Sequence, residues 1–205
     1  VVKRLVLRLL RQSGAAGSLL DFGAGKGELL LALHQRGIIT DLAGTDLLER
    51  PAALPSAIAW RQQDLNEPVV MDRTFDVVVC SETIEHLENP RAVMRTIHRL
   101  LRPGGTLVLT MPNQESLRSL LGLAFRGHFI QFLGECYPAH ITALLRMDLT
   151  RICAEAGLSS PAFSYSGDGG IPGLPRLSWQ RASFGLLNGR LFSDNLGMVT
   201  RKAAP

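Results

Sequence analysis

Three glycines at alternate positions, Gly23, Gly25 and Gly27, follow the apolar run Leu19–Phe22 and precede Glu28 and an apolar pattern of helical period. Glycine tolerates positive φ and lets a ligand touch the backbone. The first turn of a helix offers unpaired N–H groups to a polar or anionic group. Together these residues describe a nucleotide-like ligand held at a strand–helix turn. The dinucleotide spacing G-x-G-x-x-G is not met, because the third glycine comes one residue early and Glu28 stands where that pattern wants glycine. The G-K-[ST] ending of a phosphate-clamping loop is missing too. Further along, Glu82, Glu85 and His86 fall at i, i+3 and i+4, and His140 lies in a later segment. Two carboxylates and two imidazoles can hold a divalent cation. The same side chains can equally serve as ordinary acid–base groups or as hydrogen bonders that support the fold.

These residues need elements to position them. Val1–Gln12 reads as a helix, with Val2, Leu5, Val6, Leu9 and Leu10 at helical spacing and Lys3, Arg4, Arg8 and Arg11 on the other side. Short apolar runs then alternate with helical patterns. Strands are expected at Leu19–Phe22, Thr40–Thr45, Ala57–Gln62, Phe75–Cys80 and Thr106–Met111. Helices are expected from Glu28 to Arg36 and after Asn89-Pro90, which reads as an N-cap and first helical residue. Pro103-Gly104-Gly105 should stop the second of these. A helix over Asp148–Ala156 and strands near Ala162–Tyr165 and Leu196–Thr200 complete the pattern. Strand–helix alternation with short connections argues for an α/β domain whose mostly parallel sheet is covered on both faces.

The chain has 205 residues, 46% of them hydrophobic and 20% charged, which suits a single domain with its own core. Its longest apolar stretches fall short of the roughly 18 residues a membrane span needs. Cys80, Cys136 and Cys153 are widely spaced without a C-x-x-C pair, so neither a disulfide framework nor a zinc cluster is indicated. A net charge of +4 is modest for nucleic-acid binding. The first residue is valine, so an upstream segment, a cleaved signal peptide included, stays open.

At this point a resemblance becomes specific. Asp21-Phe22-Gly23-Ala24-Gly25-Lys26-Gly27 resembles motif I of the class I S-adenosylmethionine-dependent methyltransferases. Asp46 stands 19 positions after Gly27, Asp64-Leu65 follows the third strand, and Phe75–His86 and Leu100–Asn113 match later family segments in order. His140-Ile141 with Met147–Gly157 resembles the ubiquinone-biosynthesis type of small-molecule enzyme. The matches cover about Leu19–Leu158. The resemblance implies a doubly wound, mostly parallel seven-stranded sheet in the order 3-2-1-4-5-7-6, with the last-formed strand antiparallel. It implies S-adenosyl-L-methionine as cofactor, with the backbone of Gly23, Ala24, Gly25 and Gly27 and the Asp21 carboxylate near its methionine part. Asp46 would accept from the ribose hydroxyls and Leu47 would pack on the adenine. Asp64, beside Leu65, would accept from the adenine amino group. Ser81 and Glu82 would shape the methionine end. Methyl transfer to an acceptor oxygen profits from a base, and His86 and His140 are the best-tuned candidates. No metal is assigned.

Residues 1–205 are expected to form one methyltransferase domain, with the N-terminal helix 1–12 and a lid over 114–145 on the acceptor side. Phe125, Arg126, His128, Phe129, Phe132 and Tyr137 would write acceptor identity there, or bury one another in a helical hairpin. Gly167–Arg190, rich in glycine, proline and arginine, is expected as loop with a short helix, serving as a pocket wall or a dimer contact. The expected partner is a small-molecule acceptor. DNA is not expected, and RNA is disfavoured because no basic, aromatic-interleaved surface is evident. The basic amphipathic helix at 1–12 leaves peripheral membrane contact open, with packing on the domain as the alternative. A monomer or homodimer in the cytoplasm completes the expectation. Two other functions share these motifs: a metal-assisted RNA ribose 2′-O-methyltransferase, and a non-catalytic cofactor-binding domain. The second would show a ruined glycine loop or a missing ribose acid, and neither is seen.

Overall fold

Fully apolar strands demand cover on both faces, and the computed structural model, which describes residues 1–204 apart from the side chain at 175, provides it. In chain order the elements are α1 (Val2–Gln12), β1 (Ser18–Phe22), α2 (Glu28–Gln35), β2 (Asp41–Asp46), β3 (Ala59–Gln62), β4 (Phe75–Ser81), α3 (Pro90–Leu100), β5 (Leu101–Pro112), α4 (Leu117–Arg126) and α5 (Arg146–Glu155). β6 (Ala162–Tyr165), β7 (Gly170–Ile171), β8 (Leu174–Ser178), α6 (Trp179–Ala182) and β9 (Asn195–Arg201) follow. Seven strands form one sheet in the order β3-β2-β1-β4-β5-β9-β6. Counting only this sheet's strands, that is 3-2-1-4-5-7-6. β9 runs antiparallel to both its neighbours, while β1, β2, β3, β4 and β5 pair in parallel.

The period-2 geometry of strands divides one apolar run between two cores. Leu19, Val77, Val79 and Val108 face Leu5, Leu9, Leu30 and Leu33 of α1 and α2. Leu20, Phe22, Val78, Cys80, Leu107 and Leu109 face Met94, Ile97, Leu149 and Cys153 of α3 and α5. Cys80, Cys136 and Cys153 are free, and the first and last are buried as small hydrophobes. Among the described residues, no helix is long and apolar enough to cross a membrane.

α1 buries Leu5, Val6, Leu7, Leu9 and Leu10, packing on β5 and β9. The approach is close because Gly197 carries no side chain: a Cβ there would come within 2.7 Å of Leu9. Of the two readings of residues 1–12, packing on the domain is the one the helix adopts. The apolar face is already used by the core, and Lys3, Arg4, Arg8 and Arg11 face solvent.

α3 begins as its sequence dictates, with the Asn89 carboxamide oxygen accepting from the Ala92 N–H at 3.0 Å. It passes directly into β5, whose strand starts at Leu101 rather than Thr106. Leu101 pairs with Phe75, and the next paired residues are Val77 and Thr106. Pro103-Gly104-Gly105 therefore forms an irregularity within the strand instead of a loop before it. α5 starts at Arg146, two residues earlier than expected, because Asp148 reaches back to accept from the Leu145 N–H at 2.9 Å. Gly167–Arg190 holds the β7–β8 hairpin as well as a short helix. The 114–145 segment is no helical hairpin: α4 ends at Gly127 in the left-handed region, and only a single 3₁₀ turn at Gly134–Cys136 follows. Phe125 and Tyr137 are 83% and 73% exposed, whereas Phe129 and Phe132 pack edge to face with ring centroids 6.5 Å apart.

Candidate active site

The C-terminal ends of β1, β2 and β4 carry the glycine loop, Asp46 and the Ser81–His86 run, where open parallel sheets bind their ligands. Gly23, Gly25 and Gly27 all have positive φ, at 83°, 53° and 70°. The N–H groups of Gly23 and Ala24 donate to the Thr45 carbonyl at 2.9 and 3.1 Å, tying the turn to β2. The Gly25 N–H donates to the Asp46 carboxylate at 2.7 Å. Glycine loop and proposed ribose acid are thus direct neighbours. Asp46 also accepts from the Leu48 N–H at 3.0 Å. A carboxylate offers about four acceptor sites, so two remain for a diol. Leu47 is 61% exposed beside it, a free apolar surface of the kind a stacked base requires. Asp64 is exposed and closes a local turn by accepting from the Asn66 N–H at 2.9 Å. The Leu65 side chain is 7% exposed and belongs to the core. Its backbone is the part left for a ligand beside Asp64.

A cavity of about 270 Å³ lies against the loop, lined by Asp21, Gly23, Ala24, Ser81 and, from α1, Lys3. Asp21 is 3% exposed. Burial, with the Asp46 charge adding to it, pushes its carboxyl up to about 7. A buried acid lining a cavity suits a cationic ligand group, whose charge would replace the water that Asp21 has lost. The amino and sulfonium groups of S-adenosylmethionine are such groups, so the residues present fit the cofactor.

Beyond Ser81 the chain turns sharply. Glu82 adopts φ of 50°, a conformation that costs a non-glycine residue on the order of 1–3 kcal/mol and clusters at functional sites. One Glu82 oxygen accepts from the Asn195 amide at 3.1 Å, and the other is buried without a partner. Burial raises its carboxyl to about 7. Glu85 is fully buried with both oxygens unpartnered. Burial, then the Glu82 charge, raises it to about 8. The structure brings His86 and His140 together, ring centroids 4.7 Å apart. His86 Nδ1 meets the Ala139 carbonyl at 2.6 Å and His140 Nδ1 meets the Gln131 carbonyl at 2.5 Å. Donation from Nδ1 leaves each Nε2 as a proton acceptor or a metal ligand. Ligand atoms of Glu85, His86 and His140 all lie within 4.8 Å of one another. Glu82 is not part of that trio.

The chain's likenesses to known proteins bear on this arrangement. Residues 1–160 match the family model described as a methyltransferase domain. The chain belongs to this family, the class I S-adenosylmethionine-dependent methyltransferases. The ubiquinone biosynthesis O-methyltransferase of Pseudomonas aeruginosa (strain UCBPP-PA14) is 33% identical over 132 residues, covering 60% of this chain and 56% of the relative. The chain therefore spans little more than half the length of that curated relative. A SAM-dependent methyltransferase from Archaeoglobus fulgidus has a similar structure, with a TM-score of 0.65 at 20% identity over 98% of this chain and 94% of that one. So does the 1,6-didemethyltoxoflavin-N1-methyltransferase of Burkholderia thailandensis, solved with S-adenosylhomocysteine, with a TM-score of 0.63 at 15% identity over 99% and 79%. S-adenosyl-L-methionine is the cofactor of the family.

Several residues of this candidate site carry no motif in the sequence. Thr83 packs against Gly23 so closely that a Cβ on the glycine would overlap its side chain. Asn195 reaches Glu82 from 113 residues away, and Lys3 arrives from α1. None has a local signal. The Thr83 contact makes a prediction. Gly23→Ala should destabilise the fold by about 2–4 kcal/mol in chemical denaturation, from the positive φ and the overlap together. Gly25→Ala meets nothing within 4 Å and should cost only about 1–2 kcal/mol, for its φ alone. Equal losses would contradict the close approach.

Proposed function

We propose that the chain moves a methyl group from S-adenosyl-L-methionine to an oxygen of a small-molecule acceptor. The observation that carries this reading is the Gly25–Asp46 hydrogen bond beside the cavity at Asp21: loop, ribose acid and buried carboxylate form one cradle. Gly23, Ala24, Gly25 and Gly27 shape its wall, Asp21 faces the methionine amino group, and Asp46 takes the ribose. Leu47 and Asp64 lie at the adenine end, with the Leu65 backbone beside them. Ser81 and Glu82 border the reacting end. The cofactor supplies a methyl carbon already activated by a cationic sulfur.

The protein's part is alignment and proton removal. Held by the glycine loop, Asp21 and Asp46, the cofactor would supply the methyl group to the acceptor oxygen and would keep the electron pair of its carbon–sulfur bond. The acceptor's proton passes to Nε2 of His86 or His140, whose Nδ1 atoms are fixed by backbone carbonyls. The 114–145 segment holds His140 and forms the acceptor-side lid. The three free thiols suit a reducing cytoplasm, and a monomer or homodimer suits the site equally. A second reading is favoured by the unpartnered Glu85 oxygens: with His86 and His140 they would hold a divalent cation that polarises the acceptor oxygen.

Calorimetry with S-adenosylhomocysteine should show binding on the order of −8 kcal/mol. Release of that product is then followed over a panel of phenols and sugars. His86→Ala and His140→Ala should keep product affinity within about twofold and lower transfer by about 10²- to 10⁴-fold. A rate that survives chelation supports the imidazole base. A rate that chelation abolishes and manganese restores supports the cation. Full activity in both variants sinks both readings.

A further inference from the structure

Gly167–Arg190, together with residues 1–8 and α4, borders two adjoining open cavities of about 340 and 440 Å³ that share Val1, Asp168, Ser178 and Arg181. Arg118, Arg176 and Arg181 line the first, and Arg4 and Arg8 line the second. Arginines outnumber the carboxylates there, which are Asp168 and Asp194. Asp194 is already committed, accepting from Arg118 at 3.0 Å and from the Gly170 N–H at 2.9 Å. Arg4, Arg176 and Arg181 form no ion pair among the described residues, and all three side chains are exposed. Guanidinium groups that brace nothing in the fold, gathered on a concave surface, leave an uncompensated positive potential.

The place of this cavity gives that potential a use. Asn195 lines the first cavity and donates its amide to Glu82. Ser81, one residue before Glu82, lines the cofactor cavity. The Ser81–Glu82–Asn195 junction therefore links the arginine cavity to the cavity at the glycine loop.

We infer that the acceptor carries an acidic group, a carboxylate or a phosphate ester, and that Arg176 and Arg181, with Arg118 behind them, bind it while the acceptor oxygen lies near Glu82. This rests on the methyl-transfer reading for the acceptor's role, while the anion site itself stands on the cavity. Guanidinium forks match both acids bidentately. The charge on the acid would hold the acceptor in place without involving the reacting atoms.

The test is titration of the whole chain at low salt with benzoate, phenyl phosphate and uncharged benzamide, free and saturated with S-adenosylhomocysteine. At least one acid should bind about tenfold more tightly than benzamide, and the preference should shrink as salt screens the cavity. Whichever acid binds better identifies the acidic group. The double variant R176A/R181A should lose the preference while keeping S-adenosylhomocysteine affinity within about twofold, and R95A, a surface arginine on α3, should keep both. Wild type without a preference for either acid overturns the proposal, as does a double variant that retains it. Failure of S-adenosylhomocysteine to bind strikes the methyltransferase reading instead, and the acid titration of the free chain still decides the anion site.

Discussion

Asp46→Ala should weaken S-adenosylhomocysteine binding by about 100-fold or more. Each hydrogen bond from a ribose hydroxyl to a carboxylate contributes roughly 1.5–3 kcal/mol, and two are lost together. The loss extends to the cradle, because the Gly25 and Leu48 N–H groups give up their acceptor. Asp46 is only half-buried, so solvent can take over those two donors and the apo fold should lose about 1 kcal/mol. Calorimetry and denaturant melts on the same sample separate the effects. Affinity within about threefold of wild type would show that Asp46 does not meet the ribose. Asp46→Asn should fall between, since its single carbonyl oxygen cannot serve backbone and diol together.

Asp21→Asn should move stability and binding in opposite directions. The Asp21 carboxyl titrates near 7 in the folded chain against an ordinary value of 3.8. The folded state therefore holds the proton more tightly than the unfolded one between those values. Stability must fall as pH rises from about 4 to about 7 and level off above, by roughly 4 kcal/mol at most. Glu82 and Glu85, raised for the same reason, add slope of the same sign, so the contrast with wild type isolates Asp21. The variant should be more stable than wild type at pH 8 and no more stable at pH 4. Cofactor binding behaves inversely. A cationic amino group beside Asp21 favours the carboxylate, so wild-type affinity should rise through pH 7 with release of a proton. Asp21→Asn should lose both the rise and the proton, and should bind about tenfold more weakly at pH 8. Calorimetry in two buffers of different ionisation heat reads the proton directly. A wild-type affinity flat from pH 6 to pH 8 would place the cationic group elsewhere.

The strand run Phe75–Ser81 was legible because continuous β-branched residues suit a strand covered on both faces. The loop at Gly23–Gly27 was legible because positive φ selects glycine residue by residue. Boundaries moved where a side chain acted over a few residues, as Asp148 does in starting α5 early. They also moved where a strand absorbed its own breaker, as β5 does at Pro103-Gly104-Gly105. The Leu65 side chain went to the core, a placement that depends on segments packed against it and not on the motif beside it. The segment at Gly167–Arg190 offered no period at all, yet its hairpin and α6 supply Arg176 and Arg181 to the cavity.

From its sequence alone the chain determined its alternation of strands and helices, its glycine turn and the acids at its strand ends. All of these are written in neighbours a few residues apart, through backbone conformation and the periods of helix and strand. Tertiary structure decided the rest: that Gly25 meets Asp46, that Thr83 crowds Gly23, that Asn195 holds Glu82, and that His140 arrives beside His86. It also decided the charge state of Asp21, Glu82 and Glu85. A carboxyl's affinity for its proton depends on the water and charges around it, and those are set by segments that packing alone brings together.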